Sequence, residues 1–439
     1  PPPRRQFTTA KQRRHEQLLG TIGVGDLLDG YTLADTWDEM YGAPGHPRDH
    51  YRAVHDLVGT MSRDEFSGRA AVRDRSFREQ GITFSLGGEE RPFPLDLVPR
   101  VLAGDEWAVV ERGVAQRIRA LEAFLADVYT EGNILRDRVV PRALVTTSPN
   151  FVREAAGFSP PNGVRIHVAG IDLVRGADGR FKVLEDNVRI PSGISYVLEN
   201  RRAMTHVFPE IFASHRIRPV ADYPARLVAA LRAAAPARRD EPVVALLTPG
   251  LHNSAYFEHS FLAREMGVEL VEGRDLVCRG GVVTMRTTEG EVRVDVVYRR
   301  VDDAFLDPLQ FRGDSVLGCP GILNAARQGN VVIANAVGNG VADDKAVYPY
   351  VPAIIGYYLG ERPILANVET YRLGDPDERA EALARLDQLV VKPVDGSGGR
   401  GIVIGPQATD EDLARARAAV LAEPRRWIAQ ELVRLSTSP

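Results

Sequence analysis

The spacing of apolar residues predicts where the chain forms helices and strands. Between Val109 and Tyr129 apolar residues recur every three or four positions, which predicts an amphipathic helix packed on a core. Further along, Val243–Leu247, Ala255–Met266 and Val268–Val271 have the patterns of a buried strand, a helix and a second strand. This alternation is typical of a parallel sheet, so we predict an α/β protein with additional α+β parts.

A stretch in the second quarter of the chain predicts a β-hairpin with acids at defined positions. Between residues 167 and 187 two apolar-rich runs flank an Asp-Gly dipeptide at 178–179, which strongly favours a two-residue turn. That turn places Asp172 opposite Glu185, and period-two alternation puts Asn187 on the same face. Carboxylates directly opposite each other lie within about 5.5 Å and repel, so a cation would stabilise them.

Oxygen ligands without nitrogen or sulfur suit Mg²⁺, which retains waters and shares substrate phosphates. The hairpin therefore predicts a magnesium site on Asp172, Glu185 and Asn187, with Lys182 and Asp186 pointing to the opposite face. The alternative is an exposed hairpin whose acids are only solvated. It stays open because a change of one residue in the turn would send Asp172 to the other face.

A second hairpin, LVVKPVDGSGGRGIVIG at residues 389–405, places Lys392 on one strand and a glycine-rich loop before the next. A dinucleotide fingerprint needs a helix after the loop, and a Walker loop needs a lysine at its end, so neither fits. The protein-kinase loop has the same spacing, but the chain has no His-Arg-Asp or Asp-Phe-Gly tripeptide. We predict a loop that closes over nucleotide phosphates, with a hairpin tip that binds nothing as the alternative.

Composition narrows the class of protein. A length of 439 residues predicts two or three structural units, and 44% hydrophobic with 26% charged residues is typical of globular proteins. The net charge of −4 argues against a nucleic-acid partner. Two cysteines, Cys278 and Cys319, argue against a disulfide framework and fit a reducing cytoplasm. With no apolar run of about eighteen residues and no signal peptide, we expect a cytoplasmic protein that does not bind membranes.

Six segments carry a family resemblance. They are FREQGITF (77–84), VLEDNVRIPSGISY (183–196), LTPGLHNSAYFEHSFLA (247–263), VVYRRVDDAFLDP (296–308), GNGVADDKAVYPYVP (338–352) and VVKPVDGSGGRGI (390–402). As a set they closely resemble the circularly permuted ATP-grasp proteins related to glutathionylspermidine synthetase. The resemblance implies a circularly permuted ATP-grasp fold with an inserted β–α–β (pre-ATP-grasp-like) domain. It also explains why the acidic strand precedes the lysine and the glycine loop.

The resemblance further implies roles for individual residues. Lys345 and Lys392 would contact nucleotide phosphates, and Arg189 would meet the transferred phosphoryl group or the substrate carboxylate. Arg78 could reach the acyl phosphate or form a structural salt bridge. The magnesium ligands would again be Asp172, Glu185 and Asn187. The lid over the phosphates would comprise Asp395, Gly396, Ser397, Gly398, Gly399 and Gly401, and the adenine hinge Gln430, Glu431 and Val433.

The reaction implied by the resemblance is the ATP-dependent joining of a carboxylic acid to an amine through an acyl phosphate. Its cofactors would be ATP and Mg²⁺, and its substrates a small-molecule or peptide carboxylate and an amine. Phosphoryl transfer of this kind depends on positioning and charge neutralisation, so no nucleophilic side chain is expected. The alternatives are a small-molecule kinase on the same fold and a non-catalytic nucleotide-binding protein. The sequence leaves the substrates and the oligomeric state open.

We expect four parts along the chain. They are an N-terminal helical arm (1–75), an ATP-grasp part with the metal ligands (76–237), the α/β domain (238–340) and an ATP-grasp part with lid and hinge (341–439). Proteins of this kind continue past the position of Pro439, so the last part is expected to be truncated. One set of charges ends a strand and is predicted to form either surface ion pairs or a substrate contact: Arg299, Arg300, Asp302 and Asp303.

Overall fold

The computed structural model describes residues 27–86, 89–236, 240–396 and 401–439. The first helices are α1 Arg52–Gly59, α2 Arg63–Glu79, α3 Gly104–Val128, α4 Asn133–Arg136, α5 Arg142–Thr146, α6 Ile194–Val207, α7 Pro209–Ser214 and α8 Tyr223–Ala233. The later helices are α9 Tyr256–Met266, α10 Asp303–Leu306, α11 Ile322–Arg327, α12 Gly340–Asp343, α13 Val351–Leu359, α14 Pro376–Ala384 and α15 Asp410–Ala422.

The strands of the same residues form several small sheets. The first nine are β1 Tyr41–Ala43, β2 His46–Pro47, β3 Thr83–Leu86, β4 Glu89–Pro92, β5 Gly170–Arg175, β6 Phe181–Asn187, β7 Val244–Leu247, β8 Glu269–Val271 and β9 Leu276–Arg279. The others are β10 Val282–Thr287, β11 Gly290–Arg293, β12 Val296–Arg299, β13 Val332–Ala334, β14 Ala366–Asn367, β15 Thr370–Arg372, β16 Leu389–Pro393, β17 Val403–Ile404 and β18 Trp427–Glu431.

A four-stranded parallel sheet forms the centre of the molecule, in the order β13-β12-β7-β8. Its strands are almost wholly apolar because both faces are covered. Ala245 and Leu247 of β7 belong to one core cluster, and Val244 and Leu246 to another. The predicted β–α–β unit is confirmed as β7, α9 and β8. The antiparallel meander β9-β10-β11 lies between β8 and β12 along the chain.

The predicted amphipathic helix is confirmed as α3, which runs 25 residues from Gly104 to Val128. It buries Leu121, Phe124 and Leu125 in the core cluster that also contains one face of the parallel sheet. The helix packs against α13 and so ties the first half of the chain to the second.

Two further sheets carry the candidate site. The hairpin β5-β6 is extended by β14, which runs parallel to β6. The antiparallel sheet β15-β18-β16-β17 has its own core with α14 and α15, including Leu389, Val391 and Ala429. Strands β16 and β17 pair as the predicted hairpin around the glycine loop. A capping box of Thr409 and Asp412 starts α15.

The N-terminal segment around residues 37–39 packs against the turn of the β5-β6 hairpin. Glu39 N–H donates to the Thr437 carbonyl at 2.8 Å, and Thr437 N–H donates to the Trp37 carbonyl at 2.9 Å. The Trp37 ring lies so close to Gly179 that a Cβ there would meet it at 2.5 Å. The first and last described segments therefore brace the hairpin together.

Within the described ranges, none of the helices has the length and apolar character needed to cross a membrane. The four-part division of the chain at residues 75, 237 and 340 stays a prediction.

Candidate nucleotide and metal site

The β5-β6 hairpin presents two acids to each other across its strands. Asp172 pairs with Glu185 in the ladder, as predicted. The predicted two-residue turn is wrong, however, because the last pair before the loop is Arg175 with Phe181 and the loop spans residues 176–180. A β-bulge then shifts the register by one residue between the Leu173–Val183 and Asp172–Glu185 pairs, leaving Leu184 as the extra residue. The longer turn and the bulge compensate, which restores the predicted facing of the acids.

The facing acids repel each other electrostatically. Although the Asp172 side chain keeps contact with solvent, partial desolvation and the neighbouring Glu185 carboxylate raise the pKa of Asp172 to about 6. Asp186 points to the opposite face, as predicted, and forms a buried ion pair with Arg117 at 2.5 Å. Lys182 pairs with Asp178 of the loop at 3.5 Å. One face of the hairpin therefore carries Asp172 and Glu185, and the opposite face carries Asp186, whose charge Arg117 neutralises.

Lys345 joins the acidic hairpin to the base of the glycine loop. Its Nζ lies 3.4 Å from Glu185 Oε2 and donates to the Gly396 carbonyl at 2.7 Å. Lys345 follows α12, and its backbone N–H donates to the carbonyl of Val394 at 3.4 Å. The acidic hairpin and Gly396, at the start of the glycine loop, therefore meet at Lys345, which the sequence alone could only propose.

Lys392 is the second cation of this cluster. It is 8% exposed, and its Nζ donates to Gln430 Oε1 at 2.6 Å. Burial lowers the pKa of Lys392, the charges of Glu185 and Asp172 raise it, and Lys345 lowers it further. Gln430 in turn donates to the Leu184 carbonyl at 3.4 Å, which links β18 to β6. Two lysines and two carboxylates thus share one electrostatic environment.

The hairpin offers a divalent cation only part of its ligand shell. Among the described residues no group of three or more histidine, cysteine or acidic side chains is placed to hold a metal ion. The candidate set has two carboxylates and one amide, and the Asn187 side chain has no hydrogen-bond partner in the described ranges. Such a set suits Mg²⁺, which completes its shell with water and phosphate oxygens.

The predicted catalytic arginines lie in different surroundings. Arg189 follows β6 and its guanidinium pairs with Asp302 at 2.7 Å, while its backbone N–H donates to Asp343 at 3.3 Å. It thus bridges the hairpin and the carboxyl end of β12. Arg78 is exposed in the last turn of α2, and none of the hydrogen bonds or ion pairs of the described residues joins it to the lysine and acid cluster.

The predicted lid and hinge are placed only in part. Asp395 pairs with Arg426 at 3.2 Å, Gly396 accepts from Lys345, and Gly401 adopts a positive φ of 75° before β17. Three predicted lid residues lie outside the described residues: Ser397, Gly398 and Gly399.

The hinge residues Glu431 and Val433 border a cavity of about 340 Å³, which also contacts Lys182, Val368 and Leu432. Glu431 already accepts from Tyr371 and Arg385 at 2.9 Å each, so a ribose contact would compete with that ion pair. A larger cavity of about 530 Å³ is lined by Asp344, Asp395 and Arg426. Neither Lys345 nor Lys392 lines either cavity. The smaller cavity is the better match to the predicted hinge because Glu431 and Val433 line it and do not line the larger one.

Most of the charges at the end of β12 lie in buried ion pairs. Surface ion pairs are the wrong interpretation for three of them, because Arg299, Arg300 and Asp303 are buried. Arg299 pairs with Asp303 at 2.6 Å, and Arg300 pairs with Glu258 at 3.1 Å. Asp302 differs, since it keeps 36% of its side-chain surface and contacts Arg189.

Sequence reasoning missed the polar side chains that fix the end of β6. Asp343 accepts the backbone N–H of Val188 at 2.7 Å, and Asn335 and Asn339 donate to the carbonyl of Val188. Burial raises the pKa of Asp343 to about 7. Their signal was present in the segment NAVGNGVADDK, where polar residues interrupt an otherwise apolar stretch after β13.

The sequence profile of a circularly permuted ATP-grasp family matches residues 99–430. The chain belongs to this family. An uncharacterized protein of Mycobacterium tuberculosis is 57% identical over 97% of this chain and 76% of its own length. A Frankia alni protein named "Putative glutamate--cysteine ligase 2-3" is 48% identical over 94% of this chain, which spans 48% of that protein.

Among solved structures, a glutathione synthetase-like effector of Globodera pallida in apo form matches with a TM-score of 0.54. It is 12% identical, and the match covers 85% of this chain and 83% of the effector. At this identity the likeness concerns the fold, and it agrees with the permuted ATP-grasp assignment.

Proposed function

We propose that this protein is an ATP-dependent ligase that joins a carboxylic acid to an amine. The observation that carries the proposal is the position of Lys345, which contacts Glu185 of the acidic hairpin and the carbonyl of Gly396 in the glycine loop. A triphosphate bound between these elements would meet two lysines and two acids. Membership of the ATP-grasp family supports ATP as the phosphoryl donor.

The proposed chemistry proceeds in two steps. An oxygen of the substrate carboxylate attacks the γ-phosphorus of ATP, the bond to the β-phosphate oxygen breaks, and ADP leaves with an acyl phosphate formed. The neutral amine then attacks the acyl carbon, phosphate leaves with the electron pair of the C–O bond, and the amine loses a proton. Both steps depend on neutralising charge around phosphate.

The residues of the cluster have distinct roles in this proposal. Lys345 and Lys392 neutralise phosphate oxygens, and Arg189 would contact the transferred phosphoryl group or the substrate carboxylate. Asp172, Glu185 and Asn187 would hold Mg²⁺, which supplies positive charge to the phosphates when bound. Arg78 is exposed on α2, and within the described ranges no hydrogen bond or ion pair joins it to the cluster.

The name of the Frankia relative supports ligase chemistry. Its name describes a protein about twice as long as the matched part, because this chain spans 48% of it. The reaction in that name can therefore belong to either half. Glutamate and cysteine are therefore one acid and amine pair among those to be tested.

The experiment measures ADP release by the protein with Mg²⁺-ATP, a panel of amino acids and short peptides as acids, and a panel of amines. A ligase releases ADP in a manner that depends on both the acid and the amine, and mass spectrometry detects the amide product. Amine-independent ADP release with a phosphorylated acid would establish a kinase instead. Nucleotide binding without turnover in any combination would favour a non-catalytic role, and Glu185→Gln serves as the inactive-site control.

A further inference from the structure

Two buried asparagines after β13 hold the end of the acidic hairpin. Asn335 is 2% exposed and Asn339 is fully buried. The Asn335 side-chain oxygen accepts the backbone N–H groups of His167 at 2.6 Å and Val168 at 2.9 Å. Its nitrogen donates to the carbonyls of Val168 at 2.7 Å and Val188 at 2.9 Å. One side chain therefore joins the segment that enters β5 to the segment that leaves β6.

Asn339 adds a second attachment at the same carbonyl. Its side-chain nitrogen donates to the Val188 carbonyl at 3.0 Å and to the Arg165 carbonyl at 2.9 Å. Val188 lies between Asn187, a candidate metal ligand, and Arg189, a candidate phosphate contact. Because two side chains fix the carbonyl of Val188, its two neighbours have little freedom to move.

The asparagines are anchored to the parallel sheet in turn. Arg299, fully buried at the end of β12, donates to the backbone carbonyls of Asn335 at 2.8 Å and Ala336 at 3.1 Å. Its ion pair with Asp303 fixes the guanidinium. The end of β6 is thus connected through consecutive buried contacts to β12 of the central sheet.

We propose that Asn335 and Asn339 are positioning residues for the metal and phosphate site. They fix the backbone that carries Asn187 and Arg189. Their replacement weakens divalent-cation binding, whereas a control substitution with a similar loss of stability does not. The inference rests on the proposed function, since it takes the β5-β6 hairpin as the cation site. Groups that orient metal ligands from outside the ligand shell typically change metal affinity by about 10- to 100-fold when removed.

The test compares Asn335→Ala and Asn339→Ala with Gln116→Ala, each in the full chain. Gln116 is 2% exposed on α3, and its side chain makes hydrogen bonds to residues 361–364. Its replacement removes buried hydrogen bonds without touching the hairpin, so it is the matched control for lost stability. The probe is Mn²⁺, whose binding to protein holding a non-hydrolysable ATP analogue is followed by electron paramagnetic resonance. Urea unfolding of each variant reports the stability.

We expect Asn335→Ala to raise the Kd for Mn²⁺ at least about tenfold. Asn339→Ala, which loses fewer hydrogen bonds, should raise it less, and Gln116→Ala should leave it unchanged at a similar loss of stability. An unchanged Kd in both asparagine variants, or an equal rise in the Gln116 variant, overturns the inference. If Asn335→Ala does not fold, Asn339→Ala alone decides by the same criterion.

The outcome is separable from that of the proposed ligase reaction. A wild-type protein that binds Mn²⁺ and the nucleotide but joins no acid to an amine would remove the ligase proposal and leave the binding comparison intact. A wild-type protein that binds no Mn²⁺ would overturn the positioning role itself.

Discussion

Lysine occurs at four positions of this chain, although lysine and arginine together number 55. Two of the four, Lys345 and Lys392, lie in the cluster with Glu185 and Asp172. A lysine ammonium is a compact charge on a flexible stem, whereas arginine offers a planar fork. At the residue scale, the proposed function would use these two lysines to reach phosphate oxygens from two different elements, whereas arginines form the buried ion pairs around the site.

Replacing Lys345 tests that role directly. In Lys345→Met the charge beside Glu185 is lost while the length of the side chain is largely kept. We expect kcat/KM for ADP release to fall by about 10²-fold, the order of magnitude seen when one group that stabilises transition-state charge is removed. Steady-state kinetics with a coupled ADP assay measure the effect. Arg415→Met, which removes an exposed cation from α15, is the control, and a fall below threefold in Lys345→Met would contradict the assignment.

A partly buried histidine makes the fold sensitive to acid. Burial lowers the pKa of His167 to about 4, and neither of its ring nitrogens has a hydrogen-bond partner in the described ranges. Since its pKa in the unfolded chain is near 6.5, the unfolded state binds the proton more tightly. Above pH 6.5 the titration of His167 leaves the free energy of unfolding unchanged. As the pH falls from 6.5 towards 4, the free energy of unfolding decreases by up to about 1.4 kcal/mol per pH unit.

His167→Phe should remove that dependence. Between pH 8 and 6.5 the difference in Tm between the two proteins should be constant, and below pH 6.5 the wild type should lose Tm faster than the variant. Thermal unfolding by circular dichroism across this range measures it. Buried His259, whose pKa is lowered to about 3, is present in both proteins, so its effect drops out of the difference in Tm. Parallel curves down to pH 4.5 would show that His167 does not titrate as inferred.

At the scale of elements, the β5-β6 hairpin depends on what packs against its turn. Asp-Gly favours a two-residue turn in an isolated hairpin, but here the loop extends over residues 176–180 and Trp37 lies against Gly179. Gly179 has a φ of 73°, which favours glycine, and no room for a side chain. The N-terminal segment therefore takes part in choosing the turn, and the bulge at Leu184 returns the acids to a common face.

Adding a single methyl group tests this packing. Gly179→Ala combines an unfavourable φ with a contact to the Trp37 ring, so we expect a loss of roughly 2–4 kcal/mol in the free energy of unfolding. Gly163→Ala is the matched control, because Gly163 has a φ of 74° and nothing within 4 Å of the added Cβ. It should cost only about 1 kcal/mol. Equal losses in urea titrations of the two variants would mean that the Trp37 contact does not constrain the turn.

At the scale of the whole molecule, the candidate site is built by parts that are distant along the chain. The acids lie on the β5-β6 hairpin, Lys345 follows the parallel sheet, and Lys392 belongs to the C-terminal antiparallel sheet. Direct contacts between these parts at the site include the Lys345 ion pair and the Gln430 bond to β6. A nucleotide bound there would add contacts to each part and stabilise their arrangement.

Ligand-dependent unfolding tests this assembly. At a free concentration of 100 times its Kd, a non-hydrolysable ATP analogue with Mg²⁺ should stabilise the fold by about 2.7 kcal/mol and raise Tm. Removing the metal with EDTA should abolish most of that rise, and Asp172→Asn should reduce it, because the hairpin then offers one carboxylate less. Differential scanning calorimetry gives the measurement. An identical rise with and without Mg²⁺ would place the nucleotide away from the acids.

Several features followed from the sequence because their causes are local. The β–α–β unit and the helix α3 depend on residue spacing within a short window, and both are confirmed. The hairpin around the glycine loop followed from β-branched residues on each side of it. The facing of Asp172 and Glu185 was also predicted, although the turn that led to it was wrong.

The rest was decided by tertiary structure, for physical reasons visible in single residues. Whether Arg299 lies in a surface ion pair or in the interior depends on what covers the end of β12, and that cover comes from residues 335–336. Asn335 and Asn339 donate hydrogen bonds to the Val188 carbonyl, which lies about 150 residues earlier in the chain. No local sequence pattern predicts a contact between positions so far apart. The sequence by itself determined which chemical groups are present and which strands carry them. Only the packing of distant segments decided which of those groups are close enough to act together, because burial and charge depend on neighbours that spacing along the chain does not specify.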